Sequence, residues 1–154
     1  IDVFIITKAG EIWTVRFFVF VVLKLFKKIA KPHDHAGKIC PNHFITEKKL
    51  EIIEKDPYSA NLFANVRFLA GDREVYEKFM SVNNWWITTK NYEKKDEKFQ
   101  LEQKNSKFED FLKRIQIKKI KSNPEYKTPR AKIVLEDYEL RFHPEPKNRG
   151  CVGS

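Results

Sequence analysis

One carboxylate stands out at the start of the chain. Asp2 is the only charged residue in the segment 1–7, whose other residues are all β-branched or aromatic. Such a run predicts a strand buried on both faces, where an acid is costly unless it is paired or binds a metal ion. An acid two positions upstream would share its face, and the two could bind one cation. Taken alone, Asp2 equally fits an exposed residue at a frayed terminus.

A second group of possible metal ligands follows, comprising His33, Asp34, His35, Cys40 and His43. Structural zinc sites favour pairs spaced as C-x₂₋₄-C and H-x₃₋₅-H, which this group does not provide. If residues 38–46 form a strand, Cys40 and His43 point to opposite faces and converge only if a bulge occurs at Pro41. We therefore expect a solvated loop and a core cysteine rather than a zinc site.

Two further features could bind nucleic acid. Trp85 and Trp86 could stack on bases, although aromatic residues at a helix end are more often part of the core. A basic patch lines one predicted helix and comprises Lys107, Lys113, Arg114, Lys118, Lys119 and Lys121. An ordinary solvated helix face gives the same pattern. These features leave a non-catalytic basic binding module for RNA or acidic partners as the alternative to an enzyme.

The composition is that of a globular domain with a basic surface. The 154 residues are 42% hydrophobic and 14% aromatic, which is enough for one buried core and unlike a disordered chain. Lys and Arg number 30 against 21 acidic residues, so the net charge is +9. A positive field attracts nucleotides, nucleic acids and anionic lipids without choosing among them. Two cysteines favour a reducing cytoplasm over a disulfide scaffold.

The elements that must position these residues begin as strand, helix, strand. Strands are predicted at 1–7 and 38–46, and Pro41 places the second strand near an edge or a bulge. The apolar segment 11–31 predicts a helix that Pro32 ends. Arg16 and Lys24 interrupt this segment, which makes it too short to span a membrane.

The predicted helix at 11–31 carries its charges on one narrow stripe, formed by Arg16, Lys24, Lys27, Lys28 and Lys31. Because the rest of its circumference is apolar, we expect a helix nearly buried against the sheet and the helices near 58–86. A helix that lies on an anionic membrane surface is the alternative, since basic residues beside aromatic residues also suit lipid.

The rest of the chain is predicted to be mainly helical. Helices are expected at 58–69, from an Asp72 N-cap through Trp86, and from a Ser106–Glu109 capping box to Ile120. The segment 88–105 predicts a polar loop, and 133–142 predicts one more extended segment. The fold class is therefore α/β (α+β), a small mixed sheet from the N-terminal strands with a largely helical C-terminal part. The expected organisation is a core at 1–46, a helical region at 47–144 packed on it, and a divergent tail at 145–154.

An ordered set of motifs resembles bacterial nucleotidyltransferase domain proteins of the DNA polymerase β superfamily. The first, Ile1-Asp2-Val3-Phe4-Ile5-Ile6, is similar to the second half of the "Gly-Ser … Asp-x-Asp" signature. The others are Ile12-Trp13-Thr14-Val15-Arg16, Leu23-Lys24-Leu25-Phe26, Asp34-His35-Ala36-Gly37-Lys38-Ile39-Cys40, Asn42-x-Phe44-Ile45-Thr46, Ala70-Gly71-Asp72-Arg73-Glu74-Val75-Tyr76-Glu77, Trp85-Trp86 and Leu140-Arg141-Phe142-His143-Pro144. The likeness covers residues 1–144.

The resemblance implies the transfer of a nucleoside monophosphate from a nucleoside triphosphate to an acceptor, with Mg²⁺ as cofactor. Asp2 would be the second acid of the pair and a magnesium ligand. Lys38 and Asn42 would bind substrate, Lys38 by steadying a phosphate and Asn42 where the superfamily often has a third acid. The Gly-Ser element and the first acid would precede Ile1, so we expect a truncated and inactive piece. An Asp encoded directly before Ile1 would favour the enzyme.

Overall fold

The structure, a computed structural model, describes residues 1–30, 36–52, 57–84, 104–123 and 132–143. Within these residues the chain forms a four-stranded mixed sheet and four helices, which confirms the predicted α+β class. The chain divides into two compact units. Unit 1 combines Ile1–Thr46 with Gln103–Ser154, and unit 2 is Glu47–Glu102.

The sheet of unit 1 has the order β1-β2-β4-β3. Its strands are β1 (Asp2–Thr7), β2 (Cys40–Thr46), β3 (Lys132–Leu135) and β4 (Glu139–His143). The pairing of β1 with β2 is parallel, whereas β2–β4 and β3–β4 are antiparallel. The segment expected to be one extended run at 133–142 is therefore a hairpin, closed by a hydrogen bond from Glu136 N to Glu139 O of 2.9 Å.

The strand β2 is irregular near its start. The register passes from Val3 opposite Pro41 to Phe4 opposite His43, which leaves Asn42 as an additional residue. The prediction of a bulge at the proline is confirmed, and the edge position is wrong because β2 lies between β1 and β4. A bulge accommodates a proline inside a sheet because the ladder is already interrupted there.

Helix α1 (Ile12–Leu25) follows β1, and its predicted end at Lys31 is wrong. Lys27 adopts a left-handed conformation with φ 53°. Lys28 N donates to Leu23 O at 2.7 Å and Lys27 N donates to Lys24 O at 3.0 Å. This pair of bonds is the Schellman arrangement, which closes a helix without proline. The chain then runs back beside β2, where Ile29 forms a parallel bridge with Ile39.

Helix α4 (Lys107–Ser122) packs beside α1, and the two helices cover one face of the sheet. Ser106 caps α4 by accepting a hydrogen bond from Glu109 N at 3.1 Å, which confirms the serine half of the predicted capping box. The Glu109 side chain binds Trp13 and Thr14 instead. The buried core between the layers consists of Ile12, Trp13, Phe44, Leu112, Ile120, Leu140 and Phe142.

Unit 2 contains α2 (Pro57–Ala64) and α3 (Arg73–Val82). The predicted N-cap is confirmed, since Asp72 accepts from Glu74 N and Val75 N at 2.8 and 3.4 Å. Helix α3 ends at Val82 rather than near Trp86, because the buried side-chain amide of Asn83 binds a carbonyl oxygen of the last turn. Its Nδ2 donates to Phe79 O at 2.8 Å and to Leu50 O at 2.7 Å.

The prediction that α1 is nearly buried with one polar stripe is wrong. Arg16 leaves that stripe, because its guanidinium donates to Gln116 Oε1 at 2.6 Å and stacks on the Phe20 and Phe142 rings. The outer side of the helix is apolar and exposed instead, and comprises Phe18, Val21, Val22 and Leu25. The sheet and α4 cover only the opposite side of α1. In the part of the chain that the structure describes, no helix is long and apolar enough to cross a membrane.

Candidate functional site

Asp2 begins β1 and lies opposite Cys40 in the parallel ladder. Its side chain is exposed, so the carboxylate avoids the desolvation cost expected for an acid inside an apolar strand. Burial raises the pKa of the half-buried Cys40 thiol, and the charge of Asp2 and a hydrogen bond to it raise that pKa further, against the opposing charge of the N-terminal ammonium. The structure therefore places the Asp2 carboxylate directly beside a thiol that stays protonated.

Lys38 lies at the same end of the sheet but its side chain is engaged. Its ammonium donates to Lys27 O at 2.7 Å, just beyond the last turn of α1, where positive charge complements the helix dipole. Its own carbonyl accepts from the Ile1 ammonium at 2.9 Å. Lys38 would have to leave the Lys27 carbonyl to reach a bound phosphate.

Asn42 is the additional residue of the bulge and is half-buried. It follows Cys40 by two residues, so Asp2, Lys38 and Asn42 all lie where β1 and β2 begin. The structure thus brings the three predicted site residues to one end of the β1–β2 pair, with Asp2 as the exposed anionic group among them.

Of the three predicted site residues, only Asp2 offers an anionic metal ligand, its carboxylate. Among the residues described, no cluster of three or more His, Cys, Asp or Glu side chains could hold a metal ion. Mg²⁺ nevertheless needs only one or two carboxylates, because it retains water and takes the rest of its octahedron from phosphate oxygens. The Asp2 carboxylate fits that role, and the neighbouring thiol, being protonated and soft, does not compete for a hard cation.

The opposite face of the sheet from the helices carries a polar cluster that sequence reasoning missed. His43 Nε2 lies 3.1 Å from Glu139 Oε1, and Arg141 Nε lies 3.6 Å from the same oxygen. The Phe4 ring meets the imidazole edge-on at 4.9 Å. Only 4% of the His43 side chain is exposed, so a substrate has almost no access to it. We interpret the cluster as a buried polar network that fixes the register of β2 and β4.

A signal for this cluster was present in the sequence. Residues 139–143 alternate polar and apolar side chains, which places Glu139 and Arg141 on one face of a strand. His43, which pairs with Glu139, was considered in the sequence only as a possible zinc ligand. Cys40 and His43 lie on the same face because the bulge, the stated condition for their convergence, pairs them with Asp2 and Phe4, which share one face of β1. His33, Asp34, His35, Trp85 and Trp86 lie outside the described residues.

Among the described residues, the most deeply buried carboxylate belongs to Glu109 of α4 and caps α1. Glu109 is fully buried, and its oxygens accept from Trp13 N at 2.7 Å and Thr14 N at 2.9 Å. Thr14 Oγ1 donates to the same carboxylate at 2.5 Å. An acid at the first turn satisfies N–H groups that a helix leaves unbonded and complements its dipole. Glu109 is therefore an N-terminal cap of α1 supplied from a distant segment.

The predicted basic patch on α4 is largely exposed. Lys113 is the exception, because it pairs with Asp137 at 2.7 Å. The remaining members, Lys107, Arg114, Lys118, Lys119 and Lys121, face solvent. The Lys24 ammonium of α1 lies so close to Lys119 that the like charge lowers its pKa. Such a surface favours anions and disfavours other cations.

Searches of family models, curated proteins and solved structures found no match to the chain.

Proposed function

We propose that the chain carries part of the core of a metal-dependent nucleotidyltransferase, which transfers a nucleoside monophosphate from a nucleoside triphosphate to an acceptor. The observation that carries the proposal is the position of Asp2. It is an exposed carboxylate at the start of a strand that is otherwise apolar, with Lys38 and Asn42 at the same end of the adjacent parallel strand. The ordered motifs that resemble the superfamily supply the reaction class.

In this proposal Asp2 supplies one oxygen ligand to Mg²⁺. Mg²⁺ held there would offset the negative charge of the triphosphate. Lys38 would exchange the Lys27 carbonyl for a phosphate oxygen, since a charged acceptor makes the stronger hydrogen bond. The excess positive charge of the chain would raise the local concentration of the anionic substrate.

The test is Mg²⁺ binding by the 154-residue chain, measured by competition with Mn²⁺ followed by electron paramagnetic resonance. We expect weak binding, reduced by at least about tenfold in Asp2→Asn. The matched control is Asp72→Asn, the same change at an exposed carboxylate whose capping role Asn retains. Equal affinity in Asp2→Asn and the parent would remove Asp2 from the metal site.

The same variant has an independent readout at Cys40. Because the Asp2 charge raises the pKa of the thiol, Asp2→Asn should increase the thiolate fraction and speed alkylation of Cys40 at pH 8. The measurement uses a Cys151→Ser background so that only one thiol reacts. An unchanged rate would show that the two side chains are not adjacent in solution.

The alternative function is a basic module that binds RNA or an acidic partner without turnover. The exposed cationic face of α4 favours it. Binding of a single-stranded RNA that is independent of Mg²⁺ and of Asp2, but weakened by Lys118→Gln, would support the module over the enzyme. The residue encoded before Ile1 separates the two from another direction, since the enzyme requires an Asp there.

A further inference from the structure

Helix α1 turns an apolar stripe toward solvent. Its members are spaced three or four residues apart and are between 44% and 75% exposed: Phe18, Val21, Val22, Leu25 and, at the cap position, Phe26. Residues at that spacing lie on one side of a helix. Single exposed apolar residues are ordinary, whereas a contiguous stripe marks a surface that binds something.

Helix α4 carries a second stripe of the same kind. Phe108, Phe111 and Ile115 are each about half exposed, while the residues that α4 buries are Glu109, Leu112, Gln116 and Ile120. The two helices pack side by side on one face of the sheet and run in the same direction. Trp13 N donates to Glu109 at 2.7 Å near the N-terminal ends of both helices, and Lys24 lies beside Lys119 near their C-terminal ends. We call the two stripes together the α1–α4 apolar surface.

The charges around this surface are almost all positive. No Asp or Glu occurs from Ile12 to Lys28. Lys24, Lys27 and Lys28 are exposed where the α1 stripe ends, and α4 contributes exposed Lys118, Lys119 and Lys121. The mutual repulsion of Lys24 and Lys119 is relieved when an anion lies between them.

We propose that the α1–α4 apolar surface docks on an anionic membrane surface. The exposed Phe, Leu, Val and Ile side chains enter the boundary between headgroups and acyl chains, and the lysines contact lipid phosphates. Lysine clusters beside an apolar surface add electrostatic attraction to anionic lipid. This inference does not depend on nucleotidyl transfer.

The charge pattern favours lipid over the other occupants. A second copy docked through the same surface would cover the apolar stripes but supply no anions for the lysines, since both partners carry the same net charge of +9. Nucleic acid would satisfy the lysines but offers no apolar phase for the stripes on both helices. An anionic bilayer supplies both components.

The experiment is flotation of the full chain with vesicles of phosphatidylcholine and phosphatidylglycerol at a ratio of about 70:30, against vesicles of phosphatidylcholine alone. We expect binding to the anionic vesicles only, and a loss of binding when salt shortens the Debye length from about 8 Å to about 3 Å. Leu25→Gln should weaken the partition coefficient by about tenfold, since it removes one buried apolar side chain. The control is Leu69→Gln, because Leu69 is 74% exposed and Leu25 is 75% exposed.

Three outcomes would overturn the proposal. The first is a folded parent chain that stays unbound to anionic vesicles at low salt. The second is an equal loss of binding in Leu25→Gln and Leu69→Gln, which would exclude a specific surface. The third is a dimer in light scattering that Leu25→Gln dissociates, which would assign the surface to a second copy. Leu25→Gln distinguishes lipid from RNA, because only lipid takes up the apolar Leu25 side chain. If RNA binding is insensitive to this substitution, the vesicle result decides the proposal.

Discussion

The two ends of α1 are closed in different ways. At the N-terminal end, Ile12 and Trp13 are fully buried, and the first N–H groups donate to Glu109, a residue 95 or more positions away. At the C-terminal end, Leu25 and Phe26 are exposed, and the last carbonyls accept from the neighbouring residues Lys27 and Lys28.

The N-terminal end of α1 therefore depends on tertiary contacts, whereas the C-terminal end depends on local ones. The N-terminal end requires α4 to be in place, because Glu11 at the cap position makes no side-chain hydrogen bond to the helix. The C-terminal end can form within a short segment, since its Schellman bonds span only residues 23–28. The N-terminal end is therefore built for stability, and the C-terminal end leaves its apolar side chains available to a partner.

The largest expected effect comes from removing the Glu109 carboxylate that caps the N-terminal end of α1. Glu109→Ala leaves two buried N–H groups and the Thr14 hydroxyl without their acceptor and opens a cavity. We expect the free energy of unfolding to fall by about 3–5 kcal/mol. Urea denaturation followed by circular dichroism measures the change. Asp110→Ala is the neighbouring control, since its exposed carboxylate should contribute no more than about 0.5 kcal/mol. Equal losses in both variants would mean that Glu109 does not cap α1.

A smaller effect is expected at Asp137, which accepts from Trp13 Nε1 at 3.0 Å and pairs with Lys113. Partial burial raises the pKa of Asp137, but the bonds from Lys113 and Trp13 and the Lys113 charge outweigh it, so the net pKa is lowered. A lowered folded-state pKa stabilises the fold above the unfolded value of about 3.9, and this contribution is lost as pH falls further. At pH 7 we expect Asp137→Asn to cost about 1 kcal/mol.

The measurement is the free energy of unfolding from pH 7 to pH 2.5. The difference between the parent and Asp137→Asn should stay constant down to about pH 4 and shrink below it. Lys113→Met should reduce this acid-dependent component without abolishing it, because it deletes the Lys113 bond and charge and leaves the bond from Trp13. A difference that grows as the solution is acidified would contradict the assigned direction.

Local signals in the sequence predicted the elements better than their ends or faces. The Asp72 and Ser106 caps each require residues within three positions, and both are present as predicted. The end of α1 was missed because a lysine, rather than glycine, takes the left-handed position. The buried face of α4 is not readable from an apolar pattern, because Glu109 and Gln116 are core residues whose partners lie on α1.

For the candidate site, too, the placement of the residues could be predicted from the sequence, but their side-chain contacts could not. Parallel pairing brings Asp2, Lys38 and Asn42 to one end of β1 and β2, as the strand-helix-strand order indicates. The Lys38–Lys27 hydrogen bond depends on where α1 stops, so the sequence pattern could not predict it. The His43–Glu139 contact joins residues 96 positions apart in an antiparallel pair whose register no local pattern fixes.

The smallest expected effect concerns the C-terminal end of α1, where a substitution should raise rather than lower the free energy of unfolding. Lys27 has φ 53°, a conformation in which a side chain is crowded by its own backbone and glycine is not. Lys27→Gly should therefore stabilise the protein, by about 0.5 kcal/mol after the greater flexibility of glycine in the unfolded chain is subtracted. Lys27→Ala is the matched control, because it removes the same charge but keeps the crowded Cβ. The backbone carbonyl that accepts from Lys38 survives in both variants, so neither change disturbs that bond. If alanine stabilises as much as glycine, the gain comes from relieving charge repulsion among the lysines, and the left-handed position is not strained.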